Sequence, residues 1–192
     1  METRGPPGGG GSVRDGIDEY AGCARSWSTP AFVAPLVWER GSAVRILSTE
    51  NEQRPRAFSP EAEMILADQG KPHCRILLGR KPAWLERHAA EELQRYLACM
   101  ANALIPVEEE TAVSVSVLAI GRPENNPFVA RAIASGAVSV PSSEESDGFV
   151  IQTVETEGAE SLVIAGSSDR GTLYGVYWLL EEVLGVGFFR DG

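Results

Sequence analysis

The polar turn from Gly166 to Thr172 has the clearest potential for chemistry in this sequence. It follows an apolar run and opens an apolar helix, which is where a phosphate-binding loop lies in nucleotide-binding proteins. Such a loop needs a lysine after its second glycine, but Thr172 follows Gly171 here. Asp169 would also repel a phosphate. We predict that Ser168 or Asp169 caps the helix and that Gly171 allows close packing on the sheet.

No pair of carboxylates has the arrangement that glycoside hydrolysis needs, in which two acids face each other across the scissile bond. Glu181 and Glu182 are neighbours on a predicted helix, so their side chains diverge by about 100°. The other acidic runs, Glu108–Glu110 and Glu144–Glu145, are typical of solvated loops. We therefore predict no catalytic residue in this chain.

The histidines and cysteines do not form a metal site either. His73 and His88 are the two histidines, and Glu92 one helical turn after His88 does not complete a ligand set. Cys23, Cys74 and Cys99 are an odd number with wide spacing, which indicates neither a disulfide framework nor a zinc knuckle. We predict no metal ligand, no cofactor and no cofactor-binding residue, a partly exposed His88, and buried, inert side chains for Cys74 and Cys99.

Two of the four tryptophans, Trp84 and Trp178, lie at helical positions. Packing in the core or at an interface is the commoner role of such residues, and a platform for stacking sugars is the alternative.

The composition narrows the classes of partner. The 192 residues carry a formal net charge of −10, which argues against nucleic acid or an anionic membrane surface as the partner. The sequence contains no apolar stretch long enough to span a bilayer and no recognisable signal peptide, so a cytoplasmic location is the default expectation.

A single folded domain is predicted over residues 60–190. Residues 1–59 are rich in Gly, Pro and Ser and are predicted to be disordered or poorly ordered, with short strands at Leu36–Trp38 and Ala43–Leu47. Two apolar runs, Met64–Ala67 and Cys74–Leu78, flank a Gly-containing turn and predict a hairpin.

The remaining periodicity predicts alternating helices and strands. The predicted elements are helix Trp84–Ala101, strand Val113–Ile120, a short helix capped by Asn126 and ended by Gly136, strands Phe149–Val154 and Leu162–Ala165, and helix Thr172–Leu184. The order β-β-α-β-α-β-β-α favours an α+β fold, a two-layer α/β sandwich whose helices cover one face of a mixed sheet.

The last predicted helix is apolar on more than one side. One stripe contains Leu173, Val176, Tyr177, Leu180, Val183 and Leu184, while Tyr174, Trp178 and Leu179 lie outside it. We expect this helix to cover the sheet with one face and to meet another partner with the second, including self-association as one possibility.

Several segments resemble, in order, the N-terminal domain of family 67 glycoside hydrolases, the α-glucuronidases. The run from Arg170 to Phe189 carries the resemblance most specifically, and the segments beginning at His88, Ile105, Leu118 and Asp147 agree with it. A similar domain precedes the barrel in bacterial β-N-acetylhexosaminidases. One departure is Ala101-Asn102-Ala103, where family members often have a Thr-Gly pair.

The resemblance implies a non-catalytic accessory domain that braces a (β/α)8 catalytic barrel. It also implies a parent enzyme acting as an α-glucuronidase in xylan breakdown. We expect this chain to lack the barrel, and therefore to be inactive alone, so no family catalytic residue is assigned to it. The alternatives are a stand-alone carbohydrate-binding or interaction module, and a small nucleotide-binding protein built on the turn from Gly166 to Thr172.

Overall fold

A computed structural model describes residues 44–47, 63–109, 115–141, 147–156 and 159–188. The predicted strand Leu36–Trp38, the start of the predicted strand at Val113, and most of residues 1–59 lie outside these ranges. Val44–Leu47 is a strand as predicted, although it falls within the segment expected to be poorly ordered. The domain boundary at residue 60 stays a prediction.

The described residues form eight strands and three helices. The strands are β1 Val44–Leu47, β2 Glu63–Asp68, β3 Lys71–Pro72, β4 Cys74–Leu77, β5 Val107–Glu108, β6 Ser116–Ile120, β7 Phe149–Thr156 and β8 Ala159–Gly166. The helices are α1 Trp84–Ala101, α2 Pro127–Ala134 and α3 Asp169–Trp178, and α3 continues as a π-helical segment over Leu179–Val183.

The larger sheet has five strands in the order β5-β4-β6-β8-β7. The first four are parallel, and β7 pairs antiparallel with β8 through a hairpin. The mixed sheet and the α+β fold class are therefore confirmed. The central strands β6 and β8 are buried on both faces, as their continuous apolar sequence requires.

The hairpin predicted between Met64–Ala67 and Cys74–Leu78 is wrong in its second strand. β2 pairs instead with the short β3, and Gln69 and Gly70 form the turn with φ values of 49° and 74°. The backbone N–H of His73 still donates to Leu66 O at 2.9 Å. At Cys74 the chain then leaves the three-stranded sheet β1-β2-β3 and enters the larger sheet as β4.

The helices α1 and α2 begin and end where the sequence indicates. α1 spans the predicted residues and ends at Asn102, whose φ of 51° is left-handed. Asn126 caps α2 by accepting a hydrogen bond from the Phe128 N–H, and Pro127 occupies the first helical position. Gly136 follows α2 with a φ of 77°, which glycine adopts readily.

The last helix differs from the prediction because its end is π-helical. The Leu184 N–H donates to Leu179 O at 3.0 Å, five residues back, and the Val186 N–H donates to Leu180 O at 2.8 Å. The wider turn brings Leu179, predicted to lie outside the apolar stripe, into the core together with Leu180 and Leu184. Gly185, with a φ of 71°, ends the segment.

The sheet is covered on both faces, which corrects the prediction that all helices share one face. On one face, α1, α3 and β2 pack over Ile76, Leu118 and Ile164. On the other face, α2 and Val138 pack over Val117, Ala119 and Val163. The reason is that side chains alternate along a strand. Consecutive apolar residues of a buried strand point to opposite faces of the sheet, so the apolar residues on each face must be covered by another element.

Candidate interaction surface

The turn from Gly166 to Thr172 uses its own backbone amides internally. Ser168 Oγ accepts a hydrogen bond from the Gly171 N–H at 3.0 Å, and Ser168 O accepts one from the Thr172 N–H at 3.0 Å. The Gly166 N–H donates to Thr172 Oγ1 at 3.2 Å. The predicted cap by Ser168 is confirmed. Because these amides already have partners, the turn lends no support to the nucleotide-binding alternative.

Close packing explains the two glycines of this turn. A Cβ on Gly171 would lie 2.6 Å from Gly148 O, and one on Gly166 would lie 2.2 Å from the Thr172 N. Real Cβ atoms do not approach backbone so closely, so both positions need glycine. The start of α3 is thereby held against residues 147–148, as predicted for Gly171.

The carboxyl ends of β4 and β6 form the position where open α/β sheets most often bind ligands. Crossover helices α1 and α2 leave these two strands toward opposite faces, which creates a switch point between them. Asn126 fills this point, because its Nδ2 donates to Leu77 O at 2.9 Å and to Ile120 O at 3.0 Å. The sequence indicates Asn126 only as a helix cap.

A fully buried carboxylate, Glu86, closes the same edge. Its Oε2 accepts from the Ala83 N–H and from Asn125 Nδ2, both at 2.7 Å. Its Oε1 accepts from the N–H and the Nε–H of Arg122, both at 3.0 Å. With every lone-pair region occupied by a donor of the protein, Glu86 serves to join the start of α1 to the loop after β6. The sequence analysis does not identify Glu86. The pattern that could indicate it is an acidic residue at the third position of a helix whose N-cap residue has no polar side chain.

The other candidate residues lie apart from one another. Glu181 and Glu182 are exposed, His73 is exposed, and Glu108 forms an ion pair with Arg75. His88 is half-buried, as predicted. Cys74 is buried as predicted, and burial raises the pKa of its thiol to about 12, whereas Cys99 is only half-buried. Within the described ranges, no three His, Cys, Asp or Glu residues come together as a metal site.

The outer side of α3 and the segment after Gly185 expose aromatic residues. Tyr174 is 45% exposed, Trp178 is half-buried with its ring centroid 6.5 Å from that of Phe149, and Phe188 is 41% exposed. The inner side of the helix is fully used, because Thr172, Gly175 and Val176 are buried against the sheet. We call Tyr174, Tyr177, Trp178 and Phe188 the aromatic surface.

One end of the aromatic surface is fixed by contacts to α1. The Phe188 ring packs edge-on against Tyr96 at 5.3 Å and Tyr177 at 5.2 Å between centroids. The Tyr177 hydroxyl donates to Glu92 Oε2 at 3.4 Å, and Arg95 binds the same oxygen at 2.8 Å. Burial, followed by the nearby Glu92 carboxylate, raises the pKa of Tyr177. The segment after Gly185 is therefore docked onto α1 in one orientation.

The largest exposed apolar side chain lies on α1. Trp84 is 72% exposed, so it does not pack in the core, and the interface and the sugar-stacking platform remain predictions. Its indole contacts His88 edge-on, with ring centroids 5.7 Å apart. In the part of the chain that the structure describes, no helix is both long and apolar enough to cross a membrane.

The chain matches a protein-family model. The model of the glycosyl hydrolase family 67 N-terminus matches residues 75–179, more than half of the 192-residue chain. The matched region runs from β4 into the π-helical segment and so includes all three helices and nearly all of the larger sheet. A search of curated proteins found no match.

Proposed function

Since the chain belongs to the family of glycosyl hydrolase family 67 N-terminal domains, we propose that it is a non-catalytic accessory domain that braces a (β/α)8 catalytic barrel through its aromatic surface. An N-terminal domain of a glycoside hydrolase implies a catalytic domain as its partner. The observation that carries the proposal is the two-sided use of α3. Its inner face covers the sheet, while its outer face presents Tyr174 and Trp178, and Phe188 of the following segment packs against Tyr177.

The chemistry of the aromatic surface is that of a protein interface. Tyr, Trp and Phe are enriched at the centre of such interfaces because their rings bury a large area with few rotatable bonds. The exposed carboxylates Glu181 and Glu182 follow Trp178 by three and four residues, and polar residues of this kind are typical of an interface rim. The docked segment from Gly185 to Phe188 would give the barrel a defined orientation relative to this domain.

The residues at the carboxyl ends of β4 and β6 favour a bracing role over a catalytic one. At the switch point between β4 and β6, the Asn126 amide donates to the ends of both strands, and the Glu86 carboxylate accepts from the loop after β6. Both side chains are therefore engaged within the protein. We propose that the parent enzyme acts as an α-glucuronidase on the side chains of xylan. On this proposal the purified chain releases no glucuronic acid from uronate-bearing xylo-oligosaccharides, and release by a preparation free of other hydrolases would contradict it.

The decisive measurement is the mass of the native protein. An antibody raised against residues 60–190 is used to probe an immunoblot of source cells. A band several times larger than 20.6 kDa is the expected result, because it places a further domain on the same chain. A band at 20.6 kDa, with no glycoside hydrolase co-precipitating, would overturn the proposal.

The docking surface is tested by substitution in the larger protein. Tyr174→Ser on the aromatic surface should lower the cooperativity between the domains and speed hydrogen exchange in α3. Trp84→Ser, which changes an exposed aromatic residue of α1, is the matched control and should leave both unchanged. Equal effects of the two substitutions would place the interface elsewhere.

The same surface predicts the behaviour of the chain alone. A bare apolar patch favours self-association, so the isolated chain should form dimers or larger species at high concentration. Tyr174→Ser combined with Phe188→Ser should shift it toward the monomer in sedimentation velocity. A wild-type chain that stays monomeric at all concentrations would count against an orphaned interface.

A further inference from the structure

We propose that β7 is a pairing edge through which two copies of this chain associate, so that their two larger sheets join into one continuous sheet. The two β7 strands run antiparallel about a twofold axis, and Gln152 of one copy lies opposite Gln152 of the other. This contact uses the edge of the sheet and not the outer face of α3, and it does not depend on the bracing role.

The first observation is the open edge of β7. The strand lies at the end of the sheet order β5-β4-β6-β8-β7, and its eight residues from Phe149 to Thr156 pair with β8 in one unbroken register. In the ranges that the structure describes, no strand pairs with the other side of β7. Every second residue of β7 therefore directs its backbone N–H and C=O away from the sheet, where they form a template for another strand.

The second observation is that the two edges of the sheet differ in their protection. Edge strands are commonly protected by being short, by charged side chains or proline, or by a β-bulge. The opposite edge strand, β5, has two residues, and its Glu108 forms an ion pair with Arg75 of β4. Along Phe149–Val154, β7 contains no charge, no proline and no bulge. This edge is therefore suited to pairing.

The third observation is that the sequence of β7 is complementary to its own reverse. With Gln152 opposite its own copy, Val150 lies opposite Val154, and Ile151 lies opposite Thr153. Each pair joins residues of one face of the sheet, because its members are an even number of positions apart. Pairs of β-branched residues stabilise a sheet, and the two Gln152 amides can bond to each other across the axis. Val150, Gln152 and Thr153 are half-buried, so pairing removes further surface from water.

The position of the one charged residue also fits a second copy of β7. In this register the exposed Glu155 lies opposite Phe149 of the other copy. The two Glu155 residues are then about 20 Å apart at 3.4 Å per residue. That separation exceeds the Debye length of about 8 Å at physiological ionic strength, so their repulsion is largely screened.

The net charge predicts how the dimer responds to salt. Each copy carries a net charge of −10, which produces a general repulsion between copies. Added salt screens this repulsion and should therefore strengthen the dimer. An interface between unlike charges would respond in the opposite direction.

The test is sedimentation velocity of the full chain carrying Tyr174→Ser and Phe188→Ser. We call this the background chain, and its two substitutions remove the contribution of the aromatic surface to association. We expect the background chain to form dimers, with a dissociation constant that falls as salt is added. Hydrogen exchange gives a second measurement, because the outward amides of β7 should become protected as the protein concentration rises, while those of β5 should not change.

Two substitutions in the background chain locate the axis. Gln152→Lys puts two ammonium groups directly opposite each other and should raise the dissociation constant at least about fivefold. Glu155→Lys is the matched control on the same strand and should not raise it. Both substitutions make the chain less acidic, so general repulsion alone predicts tighter association for both. Circular dichroism verifies that each variant is folded.

Three results would overturn the proposal. They are a background chain that stays monomeric at millimolar concentration, an unchanged dissociation constant for folded Gln152→Lys, or exchange of the β7 amides that does not depend on concentration. Protected β7 amides in a monomer would show that another segment of this chain covers the edge. None of these results bears on the bracing role, which depends on α3 and on the mass of the native protein.

Discussion

Glu86 Oε1 accepts hydrogen bonds from both the backbone N–H and the side-chain Nε–H of Arg122, each at 3.0 Å. Thirty-six residues separate the two along the chain, so this contact joins the first turn of α1 to the loop that follows β6. Glu86 is fully buried, and its second oxygen binds Ala83 and Asn125. The carboxylate therefore holds the start of α1 and the loop after β6 together at one edge of the sheet.

Replacing Glu86 by Gln should destabilise the chain substantially. The amide would turn N–H donors toward groups that are themselves donors, and we expect a loss of about 2 kcal/mol or more in the free energy of unfolding. Urea denaturation followed by circular dichroism measures this loss. Glu91→Gln, on the exposed side of the same helix, is the control and should stay within about 0.5 kcal/mol of wild type. Equal midpoints for the two variants would contradict a structural role for Glu86.

Asn126→Ala should be at least as costly. The substitution removes the cap of α2 and leaves Leu77 O and Ile120 O without their donor. Lost capping and two unpaired carbonyls predict a loss of about 2 kcal/mol or more, measured by thermal or urea unfolding. Asn126→Asp should not restore stability, because a carboxylate keeps the cap but faces two carbonyl oxygens. Glu124→Gln, an exposed change in the same loop, provides the control. Wild-type stability in Asn126→Asp would show that capping alone explains the residue.

Gly171→Ala should displace the start of α3, because the new Cβ would lie 2.6 Å from Gly148 O. We expect a loss of about 1–3 kcal/mol from this overpacking. Gly136→Ala is an informative comparison, since its Cβ meets no atom within 4 Å and only the φ of 77° is unfavourable. It should cost about 1 kcal/mol. Asparagine, which tolerates this conformation, should recover stability at position 136 and not at position 171. Recovery at both positions would refute the close contact.

Cys74 should be protected from thiol reagents in the native chain. Its Sγ–H donates to Leu66 O at 3.5 Å, and burial raises its pKa to about 12. At pH 8 the reactive thiolate is therefore a minute fraction of the population. Alkylation with iodoacetamide, read by mass spectrometry of tryptic peptides, should modify Cys74 only after urea is added. Native modification of Cys74 at the rate seen in urea would place β4 outside the core.

The local features of the chain were readable from the sequence. The helix α1, the Asn126 cap, the Ser168 cap and the glycine after α2 depend on neighbouring residues, and each lies where the sequence predicts. The predicted partner of β2 is wrong because the apolar runs Met64–Ala67 and Cys74–Leu78 flank the same turn whether they pair with each other or belong to separate sheets. A two-residue turn at Gln69 and Gly70 closes the hairpin early and releases β4 to the other sheet.

What the sequence could not decide involves contacts between distant residues. Nothing near Leu179 marks the change to π-helix, which places three leucines in the core at once. The exposure of Trp84 is likewise a tertiary result, since a tryptophan at the start of an amphipathic helix fits a buried or an exposed position equally well.

The sequence by itself determined the family, the α+β class and the caps, because these depend on residue type and short-range spacing. Only the tertiary structure decided that helices cover both faces of the sheet, that Asn126 and Glu86 fill the switch point, and which aromatic rings of α1 and α3 face solvent. The reason is physical: a strand buried on both faces shows that each face needs cover, and only the path of the chain selects the helix that provides it.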